Sequence, residues 1–245
     1  MSSRKVAVIG GTGFSAALIE GTPQVIQTEY GQASLTRAAL GDGAELLFLA
    51  RHGVGHSVPP HKINHRANIA ALRDLGVEAV FATTAVGSLR REIAPGSFVI
   101  LDDFLDFTKG EVVTFYSDGG VRHTDFSQPY DPGLREILLQ KAAAGLTQRI
   151  HSTGTYLCTS GPRYETPAEV RLFGQWASVV GMTGAPEAIL CREAGLRYAG
   201  VALVTNYGTG LVSAGPLSHA EVEEEMAASR AHLAAWLLRA AQAVK

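Results

Sequence analysis

Four short runs in this chain are almost wholly apolar, and each stops at a glycine, a hydroxyl or a charged side chain. They are Lys5–Ile9 (KVAVI), Glu45–Ala50 (ELLFLA), Ala79–Thr84 (AVFATT) and Tyr198–Thr205 (YAGVALVT). Short runs without a polar face read as buried core strands, which need cover from other elements. Helical patterns lie between and after them. Arg66–Leu75 is amphipathic, Asp131-Pro132 opens a helix to about Ala144, and Thr166-Pro167-Ala168-Glu169 is a capping box with proline at the first helical position. A closing helix, entered through Ser218-x-x-Glu221, carries Val222, Met226, Leu233, Trp236, Leu237 and Ala240 at helical spacing. This alternation over 245 residues predicts an α/β fold: a single domain, 1–245, with a central mixed β-sheet flanked by helices and ligand loops at the strand ends.

Composition narrows the function classes. A hydrophobic share of 46% supports a sizeable core, and a net charge of −2 with no basic run argues against a nucleic-acid partner. Cys158 and Cys191 sit in apolar surroundings and read as small core residues in a reducing compartment. Neither a leader pattern nor a membrane-length apolar run is present in the sequence, so a cytoplasmic location and no membrane partner are expected. Further strands are expected at Ser97–Asp103 and Thr153–Thr159. Pro23–Gln32 reads as turn-rich and polar, and Phe104–Tyr130 as a long loop of the kind that is usually functional.

The strand ends carry the chemistry. Gly10-Gly11-Thr12-Gly13-Phe14 follows the first strand, and tight glycine turns there expose backbone N–H groups to an anion. Gly11-x-Gly13-x-x-Ala16 also fits a dinucleotide fingerprint, but the second strand with its terminal acid is missing. Arg51-His52-Gly53 ends the second strand, where an arginine is placed for bidentate phosphate recognition. His56, His61 and His65 match no helix-borne zinc spacing, and Pro59-Pro60 breaks any helix across them, so no metal is expected. Thr83-Thr84-Ala85-Val86-Gly87-Ser88 forms a ligand mouth. The capping box leaves Tyr164 and Glu165 just outside its helix, and Gly181-Met182-Thr183-Gly184 lets a ligand approach the backbone.

GPRYETPAE, GMTGAPEA and VTNYGTG occur in that order after GGTGF, and together they resemble the nucleoside phosphorylases, the family of purine nucleoside and methylthioadenosine phosphorylases. The resemblance covers nearly the whole chain and implies a purine nucleoside phosphorylase-like fold, a pentosyltransferase of purine salvage, and a homotrimer. It implies no cofactor; inorganic phosphate is a co-substrate. By resemblance, Gly11, Thr12, Arg51, His52, Thr84, Ala85 and Thr183 hold phosphate, while Val86 and Gly87 wall the sugar and base. Met182 lies under the ribose, with His56 on its side, and Tyr164 packs on the purine face. His123 reaches a neighbouring subunit's site, and Leu217 and His219 approach the 5′ group. Asn206, Glu165 and His52 are the expected catalytic residues.

The base preference follows from two positions. Methylthioadenosine enzymes carry aspartates where this chain has Asn206 and Gly208. Asn206 has an NH₂ donor for the oxygen of hypoxanthine or guanine, and Glu165 can accept the ring N–H that adenine lacks. The expected substrates are therefore 6-oxopurine nucleosides, including S-methyl-5′-thioinosine. Alternatives are a methylthioadenosine phosphorylase, a dinucleotide-dependent oxidoreductase, and a purine- or phosphate-binding module without catalysis.

Overall fold

The computed structural model describes residues 3–11, 20–41, 43–110, 112–117, 120–142, 150–212, 215 and 219–245, apart from the side chains of Val54 and residues 219–221. Strand β1 (Lys5–Gly10) lies between β4 (Ala44–Ala50) and β5 (Ala79–Ser88), parallel to both. Along β5 runs β11 (Arg197–Tyr207), parallel to it, while β10 (Val179–Gly181) meets the last residues of β5 antiparallel. From β4 the sheet extends through β3 (Gly31–Gly41) to β2 (Thr22–Thr28), both antiparallel to their neighbours. From β10 it extends through β9 (Thr155–Thr159) to β7 (Asp103–Phe107), and from β11 through β6 (Phe98–Ile100) to β8 (Ile150–His151). The described residues thus form an eleven-stranded mixed sheet.

The apolar runs lack a polar face because both sides of the sheet are covered. In β4, Leu47 and Leu49 join a core with Ile69 and Leu72 of α1 (His65–Asp74) and Leu190 of α4 (Gly184–Glu193). The alternate residues Leu46 and Phe48 join the opposite core, with Leu134 and Leu138 of α2 (Pro132–Ala142) and Leu233 and Trp236 of α5 (His219–Ala243). Trp236 is fully buried, and its indole N–H donates to the Leu138 carbonyl at 2.9 Å, which satisfies the one polar atom it brings inside. The capping box forms as expected at α3 (Pro167–Phe173): the Thr166 hydroxyl accepts from Glu169 N–H, and the Glu169 carboxylate accepts from Thr166 N–H.

Two expectations change. Pro23–Gln32 is not turn-rich; most of it belongs to the β2–β3 hairpin, whose outer strand is largely exposed and therefore polar. The strand expected at Ser97–Asp103 is two strands. β6 pairs antiparallel with β11 and stops at Ile100, and β7 starts at Asp103 parallel to β9, so the chain changes partners between them. Beyond Phe107 no helix occurs in the described residues up to Tyr130. This segment is pinned to α4: Thr114 hydroxyl and Phe115 N–H donate to the Glu193 carboxylate, and Tyr116 hydroxyl donates to the Glu193 carbonyl. No described helix is long and apolar enough to cross a membrane.

Candidate active site

The sheet opens at the carboxyl end of β5. Pairing with β1 ends at Ala82, and beyond it β5 runs between β11 on one side and, from Gly87, β10 on the other. At that level β11 carries a bulge: Val204 pairs with Val86 and Asn206 with Gly87, leaving Thr205 as the extra residue. The bulge puts Asn206 where an unbroken strand would put Thr205, a common way to re-aim a side chain at a site. Between these strand ends lies a cavity of about 330 Å³, within the range of small-molecule sites. Arg51, His52, Thr84, Ala85 and Thr183 line it, as do Val86, Gly87, Tyr164, Glu165, Met182, Asn206 and Gly208. His56 lines it too.

The Asn206 amide is held in one orientation. Its Nδ2 donates to the Tyr207 carbonyl at 3.0 Å, and its Oδ1 accepts from the Thr205 hydroxyl at 2.9 Å. A carbonyl only accepts, so the Tyr207 contact fixes which end of the amide is nitrogen and leaves the second Nδ2 hydrogen without a partner among the described residues. Glu165 is buried beside the cavity and accepts from the Thr159 hydroxyl at 2.9 Å. Burial raises the Glu165 pKa above the ordinary carboxyl value, with the hydrogen bonds to its own backbone and to Thr159 opposing that shift.

Arg51 is not a free fork. Its Nε and Nη2 donate to the two carboxylate oxygens of Glu187, the latter at 2.7 Å, and its Nη1 donates to the Thr83 carbonyl at 2.7 Å. The bidentate edge expected for a ligand therefore faces Glu187, leaving one hydrogen on each of Nη1 and Nη2. Both side chains are 1% exposed, and Tyr198 hydroxyl adds a bond to Glu187 at 3.3 Å. Gly11 is buried next to this pair. Its N–H donates to the Thr83 hydroxyl at 2.9 Å, so that donor is already used and Gly11 is not among the cavity-lining residues. Glycine is required there because a Cβ would come within 2.8 Å of both Arg51 Nη1 and the Thr83 carbonyl oxygen.

His123 is exposed and does not reach this cavity in its own chain. Thr12 and Leu217 lie outside the described residues, as does the His219 side chain at the start of α5. Sequence reading missed Glu187, Tyr156, Thr159 and Thr205. Tyr156 is buried under the start of α4, where its oxygen accepts from Thr183 and Gly184 N–H, each at 3.2 Å. A Cβ on Gly181 would meet that oxygen at 2.7 Å, which accounts for the glycine. The available signal for Glu187 was an acid inside the otherwise apolar GAPEAILC, with Arg51 at the end of a buried strand in need of a partner.

Residues 5–242 match the family profile described as the phosphorylase superfamily. A 6-oxopurine nucleoside phosphorylase from Pyrococcus furiosus is 49% identical over 232 residues, covering 91% of this chain and 86% of that protein. A probable S-methyl-5′-thioinosine phosphorylase from Methanocaldococcus jannaschii is 44% identical, covering 84% and 80%. Among solved structures, a methylthioadenosine phosphorylase from Schistosoma mansoni in complex with adenine superposes with a TM-score of 0.91 at 33% identity, covering 98% of this chain and 91% of that one.

Proposed function

This chain belongs to the phosphorylase superfamily, and from that membership we propose that it cleaves 6-oxopurine nucleosides with phosphate, giving a free purine and a pentose 1-phosphate. A phosphate oxygen bonds to the anomeric carbon as the glycosidic C–N bond breaks, and the electron pair of that bond goes to the purine. The observation that carries the base preference is the pairing of Glu165 with the orientation-locked amide of Asn206 on one cavity. A carboxylate accepts the N–H of a 6-oxopurine, and the free amide hydrogen meets its oxygen or the neighbouring ring nitrogen.

The remaining roles follow from the same reading. Arg51, His52, Thr84, Ala85 and Thr183, with Thr12, hold phosphate against the sugar, and holding it turns a bimolecular attack into a nearly unimolecular one. The phosphate charge stabilises the oxocarbenium-like sugar. Met182 packs under the ribose and Tyr164 against the purine. No cofactor or metal is needed, since phosphate is itself the second substrate. The 5′ position takes a hydroxyl or a methylthio group, and the enzyme works in the cytoplasm in purine salvage. It assembles as a homotrimer in which His123 serves the neighbouring site.

A methylthioadenosine phosphorylase is the second reading, favoured by the likeness to the Schistosoma enzyme. Glu165 and Asn206 stand against it. The test is inosine, guanosine, adenosine, methylthioinosine and methylthioadenosine, each with and without phosphate. Phosphate-dependent release of hypoxanthine or guanine with pentose 1-phosphate is expected; release without phosphate would mark a hydrolase instead.

A further inference from the structure

His52 follows β4 in a turn that brings Val58 back over it. Val58 N–H donates to the His52 carbonyl at 2.9 Å, and His52 Nδ1 lies 2.8 Å from the Val58 carbonyl oxygen. That oxygen can only accept, so Nδ1 carries the ring hydrogen and Nε2 of the neutral ring is a bare lone pair. The ring borders the cavity, and its face lies against His56 with centroids 4.2 Å apart. Among the described residues no donor reaches Nε2.

The charges around the ring keep it neutral. Burial acts first and the Arg51 guanidinium second, holding the His52 pKa at about 4; His56 pushes the same way, while the Val58 bond and Glu187 push back. His65 of α1 stands behind, 3.9 Å from Glu187. Because Arg51 is neutralised by Glu187, the subsite carries little net charge and relies on matching donors with acceptors.

Resting on the phosphorolysis reading above, we propose that His52 selects the anion by its hydrogen: Nε2 accepts the P–OH of hydrogen phosphate, and the subsite discriminates against sulfate. Sulfate has similar size and charge but no hydrogen at neutral pH, so one of its oxygen lone pairs would face that of Nε2. The reaction's balance fits such an acceptor. Nucleoside and hydrogen phosphate become pentose 1-phosphate dianion and neutral purine, so the single phosphate hydrogen must leave the phosphate and the purine must gain one.

The test is calorimetric titration of the protein with sodium phosphate and with sodium sulfate at pH 6, 7 and 8, at constant ionic strength. At pH 8 phosphate is expected to bind about 10- to 100-fold more tightly than sulfate, the effect of one mismatched buried polar pair. Sulfate pairs with Nε2 only once the ring takes up a proton, so its affinity is expected to rise, and the preference for phosphate to narrow, as the pH falls toward the His52 pKa of about 4. His52→Gln, which sets an amide donor near the place of Nε2, should narrow the preference and flatten the sulfate slope. Equal affinities at pH 8, sulfate binding independent of pH, or no binding of either anion would overturn the proposal. Intact anion preference without nucleoside cleavage would instead count against the phosphorolysis reading.

Discussion

Asn206 can offer the cavity a donor because its neighbours have taken its other polar groups. An amide free to rotate would serve adenine as well as hypoxanthine; here a rotated amide would set Oδ1 against the Tyr207 carbonyl, now 3.0 Å from Nδ2. On the proposed reading, a wrong base would leave both Asn206 and Glu165 unpaired, at about 1–3 kcal/mol each, or roughly 30-fold to 10⁴-fold in discrimination if additive. Asn206→Asp replaces the donor with a carboxylate. It should lower kcat/KM for inosine about 10- to 100-fold and raise the share of adenosine cleavage, measured by chromatography of the released bases. Glu165 gives a pH prediction. Its folded pKa is raised by burial, so the acceptor is lost as pH falls through a value above the ordinary carboxyl range. At saturating phosphate, the acid limb of kcat/KM for inosine should lie at that raised value and vanish in Glu165→Gln. An unchanged limb in the variant would assign it elsewhere.

The joint between the end of β4 and α4 is the Arg51–Glu187 pair, and it changes how variants there must be read. Arg51→Ala leaves the buried Glu187 carboxylate without its cation, with the Tyr198 hydroxyl at 3.3 Å and His65 at 3.9 Å, and losing one partner of a buried pair costs about 3–5 kcal/mol. A simple loss of activity in that variant would therefore not isolate phosphate binding. Glu187→Ala should be destabilised by a similar amount. The double variant should lose less than the sum, a coupling readable by denaturant unfolding. α1 supplies a second stability prediction. His65 is buried with neither ring nitrogen hydrogen-bonded among the described residues, and burial first lowers its pKa to about 4. Its folded pKa lies below the unfolded value, so the unfolded state binds more protons. Stability should fall as pH drops from about 6.5 toward about 4, by up to about 1.4 kcal/mol per unit for each such histidine. His52 contributes in the same direction, and His65→Leu should remove its own share of the slope in urea unfolding at pH 7, 6 and 5.

At the scale of the molecule, the proposed homotrimer would bring the exposed His123 of one chain to a neighbour's cavity. Light scattering should give three times the 25.9 kDa chain mass, and a fully active monomer would release His123 from the site. The central sheet was legible because strands covered on both faces leave unbroken apolar runs. β2 and β3 were not, because an exposed edge hairpin has the polarity of a loop. The polar residues of the site were legible where they sit at strand ends or just outside a cap, as Asn206, Glu165 and His52 do. Glu187, Thr205 and Tyr156 were not, since their roles depend on partners far away in the chain or, for Thr205, on a bulge. The central claim is the choice of base, and one measurement tests it most directly: inosine and adenosine offered together at equal concentration with phosphate, with hypoxanthine and adenine followed over the initial rate. Hypoxanthine should exceed adenine by at least about 30-fold, the lower bound set by two mismatches. Adenine released as fast as hypoxanthine, or faster, would contradict it.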